Sequence, residues 1–299
     1  MKNKICFHNS SLSEAQFVIF GVPDETGSDA KRKGTKLAPN TVREISNKFE
    51  KIKRKNNLSF FESPDFSEKK LIENLKINDF GDIKKQNVKK NVYNFIKHKK
   101  IPVTIGGDHS ISYETLSAIN KRMKELNQKF SLIYFDAHPD FISSHTHYYG
   151  SVVYDLSKLE MLDIKKSILI GIRDPEKEEI SNVKKSGIKL ITSFDFKIKT
   201  IKQLSTFIRK NILRNAYISI DVDVADPAFA PGVNVPSPGG LSSLELLFLA
   251  RASAEIANLG FDVMEISPPY DLNNITSLLG IKLIQEMIVS FNLKNNIYK

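Results

Sequence analysis

Short apolar runs alternate with longer amphipathic stretches along almost the whole chain. The apolar runs have strand length, whereas the amphipathic stretches repeat apolar residues at helical spacing, as Val88, Val92 and Phe95 do. The predicted strands span residues 18–21, 76–80, 101–105, 130–135, 167–172, 189–192, 217–221 and 261–266. The predicted helices span residues 38–50, 85–99, 110–127, 151–162, 175–186, 200–213, 242–258 and 275–291.

Strands that alternate with helices are typical of βαβ units, in which the strands run parallel. No change in composition, internal repeat or low-complexity linker divides the chain. We therefore expect residues 1–299 to form one α/β domain around a mainly parallel sheet of eight strands. The lysine-rich polar stretch at residues 53–68 is predicted to be a loop with short structure.

Composition narrows the class of protein. The 299 residues are 41% hydrophobic, which suits a sizeable core, and the single cysteine, Cys6, excludes an intramolecular disulfide. The N-terminal residues do not resemble a signal peptide, and no apolar run reaches the about 18 residues of a membrane span. We therefore expect a cytoplasmic protein without a membrane partner.

The net charge of +10 raises the question of a nucleic-acid partner. The lysines, however, are scattered over predicted helix faces and loops, and they are not interleaved with aromatic residues in a repeated pattern. This distribution predicts solvated surfaces and no nucleic-acid partner.

The most informative stretch is Asp-Ala-His-Pro-Asp, which follows the predicted strand 130–135. Asp136, His138 and Asp140 are spaced two residues apart, so an extended backbone directs all three side chains to one face. Two carboxylates beside an imidazole repel each other unless a positive charge lies among them. The spacing therefore indicates a divalent metal site.

Three further segments place polar side chains where predicted strands end. They are Gly106-Gly107-Asp108-His109, the aspartates Asp221 and Asp223, and Glu265. The first could equally be a simple strand-to-helix turn, because its glycines permit a tight bend. Ligands of open α/β sheets bind at the carboxyl ends of the strands, so the four segments together predict one site.

Charge distinguishes one ion from two. Four carboxylates, Asp136, Asp140, Asp221 and Asp223, carry four negative charges, which one divalent ion would leave half uncompensated. Imidazoles such as those of His109 and His138 bind metals as neutral groups. Two ions balance the site, and oxygen-rich ligation without thiolate favours manganese or a similar first-row metal over structural zinc.

The three motifs resemble, in order and spacing, the signatures of the ureohydrolase family, which includes arginases and agmatinases. They read Gly-Gly-Asp-His-Ser, Asp-Ala-His-Pro-Asp and Ser-Ile-Asp-Val-Asp-Val-Ala-Asp-Pro. The resemblance extends from about Val18 to the last helix, and Met264-Glu265-Ile266-Ser267-Pro268 is most similar to agmatinases. It implies a three-layer α/β/α sandwich, assembly into trimers or hexamers, and a small cationic guanidino substrate.

The resemblance also implies a role for each site residue. Asp136 and Asp221 would bridge two manganese ions, His109 and Asp140 would complete the ligands of one ion, and His138 and Asp223 those of the other. Asp140 would also orient the nucleophile. Glu265 matches the acid that holds the guanidinium group.

Two positions near the second motif depart from the family pattern. Ile142 replaces an asparagine that in arginases holds the amino acid's carboxylate, which disfavours arginine as substrate. Tyr149 replaces a histidine that in agmatinases is thought to pass a proton to the leaving amine. Tyr149 itself, His147 or His145 could take over that role.

A third departure lies in the loop of residues 232–240, which lines the substrate entrance in the family. Ser237 replaces a glutamate that is usual there in agmatinases, so the part of the site that would read the substrate's tail differs.

From the sequence we predict a binuclear manganese hydrolase that converts agmatine to putrescine and urea. Guanidinobutyrate, free guanidine, arginine and a formimino amino acid are alternative substrates. A catalytically silent metal-binding oligomer and a zinc deacetylase of related fold are alternatives from other classes.

Overall fold

Eight parallel strands form one sheet in the computed structural model, which describes residues 4–55 and 75–297. In chain order they are β1 (Phe17–Gly21), β2 (Ile77–Asp82), β3 (Ile101–Ile105), β4 (Ser131–Phe135), β5 (Ile168–Ile172), β6 (Lys189–Thr192), β7 (Ala216–Asp221) and β8 (Phe261–Met264). Their order across the sheet is β2-β1-β3-β8-β7-β4-β5-β6, and each neighbouring pair is parallel. The predicted strands are confirmed with small shifts at their ends.

Helices follow most of these strands. In chain order the α-helices of the described residues are α1 (Ala38–Lys55), α2 (Val88–Lys97), α3 (Ile111–Glu125), α4 (Val152–Leu156), α5 (Lys177–Ser186), α6 (Asp195–Ile198), α7 (Ile201–Asn211), α8 (Ser243–Ala254) and α9 (Ile275–Ile297). None of them combines the length and the apolar composition that crossing a bilayer requires.

Two predicted segments differ from the structure. The helix predicted for residues 151–162 ends at Leu156, because the backbone beyond it pairs with the start of β4: the Phe130 amide donates to the Met161 carbonyl at 3.0 Å. The loop predicted for residues 53–68 begins inside α1, which continues to Lys55, and its remainder lies outside the described residues.

Alternation along the strands divides the core into two layers on opposite faces of the sheet. On β4, Ile133 and Phe135 pack into the cluster that contains residues of α1, α7, α8 and α9. Leu132 and Tyr134 of the same strand pack into a cluster with α3 and α4. The fold is therefore the three-layer α/β/α sandwich that the resemblance implied.

The order of strands determines where the polar segments meet. Strands β3, β8, β7 and β4 are consecutive neighbours in the middle of the sheet, although they are far apart in the sequence. Because all strands are parallel, their carboxyl ends lie along one edge. The four segments predicted to form one site follow these four strands.

Candidate metal centre

His109 reaches the centre from the loop after β3. This loop packs so closely that a Cβ on Gly106 would lie 1.7 Å from the Met264 sulfur, and one on Gly107 would lie 1.7 Å from the Asp24 carbonyl oxygen. Only glycine allows that approach at these two positions. The Asp108 carboxylate accepts from the Gly27 amide at 2.8 Å and from the Ser110 amide at 3.0 Å, which braces the turn.

The first group of ligand atoms surrounds His109 Nδ1. This nitrogen lies 3.2 Å from Asp136 Oδ2 and 3.3 Å from Asp221 Oδ2, and all three side chains are buried. Ligand atoms of these three residues lie within 4.8 Å of one another, which fits a single ion.

The second group contains His138, Asp136 and Asp223. His138 Nδ1 lies 3.1 Å from Asp223 Oδ2 and 3.4 Å from Asp136 Oδ1. Asp136 thus belongs to both groups and directs one carboxylate oxygen to each. Two adjacent sites that share a carboxylate are the arrangement that a pair of ions requires.

Asp140 lies next to the first group and outside both triads. Its Oδ2 is 3.7 Å from His109 Nδ1, and it accepts a hydrogen bond from the Tyr134 hydroxyl. The backbone of Asp140 has a positive φ of 48°, and its carbonyl accepts from the Val153 amide at 2.9 Å. The structure therefore brings all six predicted ligands together, five of them in the two triads.

The residues fit divalent ions because the cluster holds four carboxylates, those of Asp136, Asp140, Asp221 and Asp223, beside two imidazoles. Asp136 Oδ2 is buried and forms no hydrogen bond in the described part of the chain. Burial, together with the charge of Asp136, raises the pKa of Asp140 well above its usual range. Although burial opposes protonation of His138, Asp223 and Asp136 raise its pKa to about 12. Acids that resist ionisation and an imidazole that retains its proton both indicate that cations belong here.

Glu265 follows β8 and lies beside this cluster. Its backbone is in the left-handed region, with φ of 64°, and its amide donates to the Gly107 carbonyl at 3.0 Å. Glu265 Oε1 accepts from the His109 amide at 2.9 Å, whereas Oε2 is buried without a partner among the described residues. Burial, with the nearby charge of Asp108, raises the pKa of Glu265 to about 8.

A cavity of about 410 Å³ opens beside the cluster. Its lining includes two predicted ligands, His138 and Asp140, together with Ile142, Val235 and Tyr149. Acidic side chains also line it: Asp29, Asp174, Glu176 and Glu179.

The candidate proton donors differ in their position. Tyr149 lines the cavity, and its pKa is raised by burial and by a hydrogen bond with Asp29. His147 instead places Nδ1 2.8 Å from Asp155 and stacks on Tyr113, with ring centroids 3.9 Å apart. Neither His147 nor the exposed His145 is among the described residues that line the cavity.

Sequence reasoning missed three buried residues around His109. Tyr134 stacks on the imidazole at 4.7 Å, Ser219 Oγ lies 2.8 Å from its Nε2, and Asp262 bonds Ser219. Tyr134 and Ser219 precede Asp136 and Asp221 by two residues, so the strand period could have identified them. An acid inside the apolar strand β8 was the signal for Asp262.

Comparison with known proteins agrees with this geometry. The sequence matches the Arginase family over residues 15–289. It is 29% identical to the guanidinobutyrase of Pseudomonas aeruginosa over 92% of this chain and 85% of that protein. It is 27% identical to the agmatinase of Halalkalibacterium halodurans over 94% of each. The solved agmatine ureohydrolase of Thermoplasma volcanium superposes with a TM-score of 0.84, at 30% identity, over 99% of this chain and 97% of that one.

The arginase family is binuclear and metal-dependent, and the two triads of this chain match that requirement. The matched residues include the whole site, because residues 15–289 contain every strand that contributes to it. The chain therefore belongs to the arginase family, as a ureohydrolase that acts on guanidino compounds.

Proposed function

We propose that the chain hydrolyses agmatine to putrescine and urea at a centre of two manganese ions. The pair of triads that share Asp136 carries the proposal for two ions, because each triad offers three ligand atoms around one point. Carboxylates and imidazoles without thiolate are ligands that suit manganese. An agmatinase and an agmatine ureohydrolase among the similar proteins support the choice of substrate.

The proposed ligands are the six predicted from the motifs. They are His109, Asp136, Asp140, His138, Asp221 and Asp223. A pair of divalent ions held by these residues would supply a nucleophile at neutral pH, by lowering the pKa of bound water. Asp140, which lines the cavity, would orient that nucleophile towards the substrate.

Glu265 is the proposed anchor for the guanidinium group. A guanidinium stays protonated at neutral pH, with a pKa above about 12, so it needs an anionic partner in a buried site. Glu265 Oε2 is buried with no partner among the described residues, and it can accept the N–H groups of the substrate. In the reaction, the water oxygen bonds to the guanidino carbon and the bond from that carbon to the alkyl-substituted nitrogen breaks.

Tyr149 is the proposed proton donor to the departing nitrogen. Burial and the bond with Asp29 raise the pKa of its hydroxyl, so Tyr149 stays protonated and can donate. His147 is a weaker candidate, because its imidazole is bonded to Asp155 and stacked on Tyr113. Transfer to the nitrogen lets the carbon–nitrogen bond break and releases putrescine as an amine. The proton on the hydroxyl that was added to the carbon returns to Tyr149, which leaves neutral urea.

The charge around the cavity favours a substrate with a cationic tail. Its lining residues in the described chain include no lysine or arginine, and three of the lining acids, Asp29, Asp174 and Glu176, are exposed. Agmatine carries an ammonium group at its far end, whereas guanidinobutyrate carries a carboxylate that these acids would repel. Ile142 and Val235 offer apolar walls for the methylene chain between the two ends.

Two other readings have specific support. Similarity to a guanidinobutyrase keeps guanidinobutyrate as a second substrate. A silent metal-binding oligomer is suggested by Tyr149, which stands where the resemblance led us to expect histidine.

We also propose that the whole chain is one ureohydrolase domain, that it assembles into trimers or hexamers, and that it works in the cytoplasm without a nucleic-acid or membrane partner. Exposed apolar side chains support contact with further copies, since Phe194 is 73%, Ile198 81% and Leu244 62% exposed. Light scattering coupled to size exclusion tests the assembly.

Urea release tests the proposed function directly. Manganese-loaded protein should release urea from agmatine with a kcat/KM at least 10-fold higher than from guanidinobutyrate, arginine or guanidine. Asp223→Ala, which removes one ligand, serves as the inactive control. The absence of turnover on all four compounds, with two ions bound, would overturn the enzyme reading.

The acidic residues of the cavity allow a second, independent test of substrate selection. Replacement of Asp174 by asparagine and of Glu176 by glutamine should lower kcat/KM for agmatine about 10-fold while leaving or improving turnover of guanidinobutyrate. Glu178→Gln, a matched change at an exposed acid bonded to the Ser143 amide outside the cavity lining, should alter neither. Equal losses on both substrates would contradict the role of the acids in reading the tail.

A further inference from the structure

Asp262 is a buried acid in the middle of β8 that the proposed reaction does not use. Its side chain is fully buried, and three hydroxyl groups donate to it. Ser219 Oγ donates to Oδ1 at 2.7 Å, and Ser112 Oγ and the Tyr217 hydroxyl donate to Oδ2 at 2.8 and 3.0 Å. A carboxylate in an apolar layer is costly unless it is bonded in this way, so its position requires an explanation.

The hydrogen bond from Ser219 to Asp262 determines which atom donates in the contact between Ser219 and His109. A serine hydroxyl has one proton, and that of Ser219 points to Asp262. Ser219 Oγ can therefore only accept at its other contacts, of which His109 Nε2 at 2.8 Å is closer than Ser112 Oγ at 3.4 Å. We assign the proton of this contact to Nε2 on that basis.

The other nitrogen of the ring then faces the metal centre. With Nε2 as the donor, the neutral imidazole has its lone pair on Nδ1. Nδ1 lies 3.2 Å from Asp136 Oδ2 and 3.3 Å from Asp221 Oδ2, so it is the nitrogen that meets the other ligands. Rotation of the ring is also restricted, because Tyr134 stacks on it at 4.7 Å with planes 10° apart.

We propose that Asp262 is a positioning residue for the metal centre: through Ser219 it holds His109 in the tautomer and orientation that present Nδ1 to an ion. Partners of metal-bound imidazoles commonly have this function, and their loss costs about 10- to 100-fold in metal affinity. The inference rests on the proposed ligand set, and it adds two residues, Ser219 and Asp262, that contact neither ion nor substrate.

Manganese titration of the metal-free protein tests this relay, the hydrogen bonds from Asp262 through Ser219 to His109, without measuring activity. The electron paramagnetic resonance signal of unbound manganese measures the free metal, and its titration yields an affinity for each of the two ions. In Ser219→Ala we expect the ion held by His109 to bind about 10- to 100-fold more weakly, while the ion held by His138 keeps its affinity. Asp262→Asn should weaken the same ion, and the double variant should be no worse than Ser219→Ala alone, because both changes break one relay.

Tyr217→Phe is the matched control. It removes a different donor from the same carboxylate, and Tyr217 is not bonded to His109. A purely structural Asp262 would make all three variants lower the thermal stability of the metal-free protein without weakening one ion selectively. That pattern would overturn the relay, as would unchanged affinities in Ser219→Ala.

The wild type separates the two proposals. If it binds two ions and the variants match it, the relay alone is wrong. If the wild type binds only one ion, the proposed binuclear centre is wrong. If that one ion is bound by the His138 group, the proposed role of Asp262 is wrong as well.

Discussion

At the scale of single residues, the site consists of charged groups held where water cannot stabilise them. Asp136, Asp221 and His109 are almost fully buried, and Glu265 keeps one oxygen without a partner among the described residues. Such groups are unstable unless an opposite charge approaches. We propose that two ions and a guanidinium supply these charges, so that the residues contribute little to stability without their ligands.

Glu265 leads to a prediction about pH. Burial and the charge of Asp108 raise the pKa of Glu265 from 4.5 to about 8, so the folded, metal-free protein binds a proton that the unfolded chain has lost between these values. Its contribution to stability is complete below pH 4.5 and disappears as the pH rises through 8. Glu265→Gln removes this loss. We expect the variant to be more stable than the metal-free wild type at pH 9, on the order of a few kcal/mol, and similar to it at pH 5.

Thermal unfolding of both proteins in a chelator at pH 5, 7 and 9 measures this difference. A difference in stability between the two proteins that is the same at all three pH values would show that Glu265 does not titrate in this range. With manganese bound the gap should shrink, because the ions offset the charge of the acid.

Tyr149 and His147 lead to a second prediction. If Tyr149 donates the proton, Tyr149→Phe should lower kcat about 100-fold with little change in KM, because general acid catalysis contributes about 10²- to 10⁴-fold. His147→Ala should lower kcat less than 3-fold, since its imidazole is bonded to Asp155 and lies outside the described cavity lining. Steady-state kinetics with agmatine decide between them, and the reverse order would assign the proton to His147.

At the scale of elements, the site depends on loops that continue directly from strands. The loop after β3 carries His109, and its Gly107 carbonyl accepts from the Glu265 amide at 3.0 Å, so the loops after β3 and β8 hold each other. Short loops on a rigid sheet keep ligands within the small tolerance that metal coordination demands. A change in one loop therefore affects two functional groups.

Gly107→Ala tests this coupling. A Cβ there would lie 1.7 Å from the Asp24 carbonyl oxygen, so the loop must shift, at a cost of about 1 to 3 kcal/mol. We expect a lower melting temperature and at least 10-fold weaker binding of the ion held by His109. Gly187→Ala provides the comparison: its φ of 73° at the end of α5 makes alanine unfavourable by about 1 kcal/mol, far from the centre. Loss of metal affinity in both variants would point to global destabilisation instead.

At the scale of the whole molecule, the centre joins strands that are distant in sequence. Candidate ligands from the ends of β3, β4 and β7 meet around Asp136, so ions bound there would connect three strands of the sheet. A ligand that binds only the folded state stabilises it, by about 2.7 kcal/mol at 100 times its Kd. Metal binding should therefore be visible as thermal stability.

Manganese should raise the melting temperature by about 5 to 10 °C over protein in a chelator. Asp136→Ala, which removes the shared carboxylate, should abolish the rise and leave less than half an ion per chain by elemental analysis. His138→Ala should keep about one ion, because His109 and Asp221 are intact. Two ions in Asp136→Ala would show that the sites do not depend on a shared ligand.

Most of the fold could be predicted because it depends on local patterns. Apolar runs and helical spacing located the eight strands within a few residues. The extended backbone predicted through Asp136, His138 and Asp140 was wrong, because β4 ends at Phe135 and Asp140 has a positive φ of 48°. The loop after β4 still brings the three side chains to one centre. The helix expected to reach residue 162 ends early, because the backbone beyond it pairs with Phe130, a contact that no local pattern contains.

The sequence by itself determined the reaction centre: the types of ligand, their approximate number and the edge of the sheet where they lie. Only the tertiary structure decided which side chains meet. The order β3-β8-β7-β4 brought Asp262 and Ser219 against His109, and local bonding drew His147 to Asp155 while Tyr149 stayed at the cavity. The physical reason is that spacing along a strand is a property of the backbone, whereas neighbours across a sheet depend on how the whole chain packs.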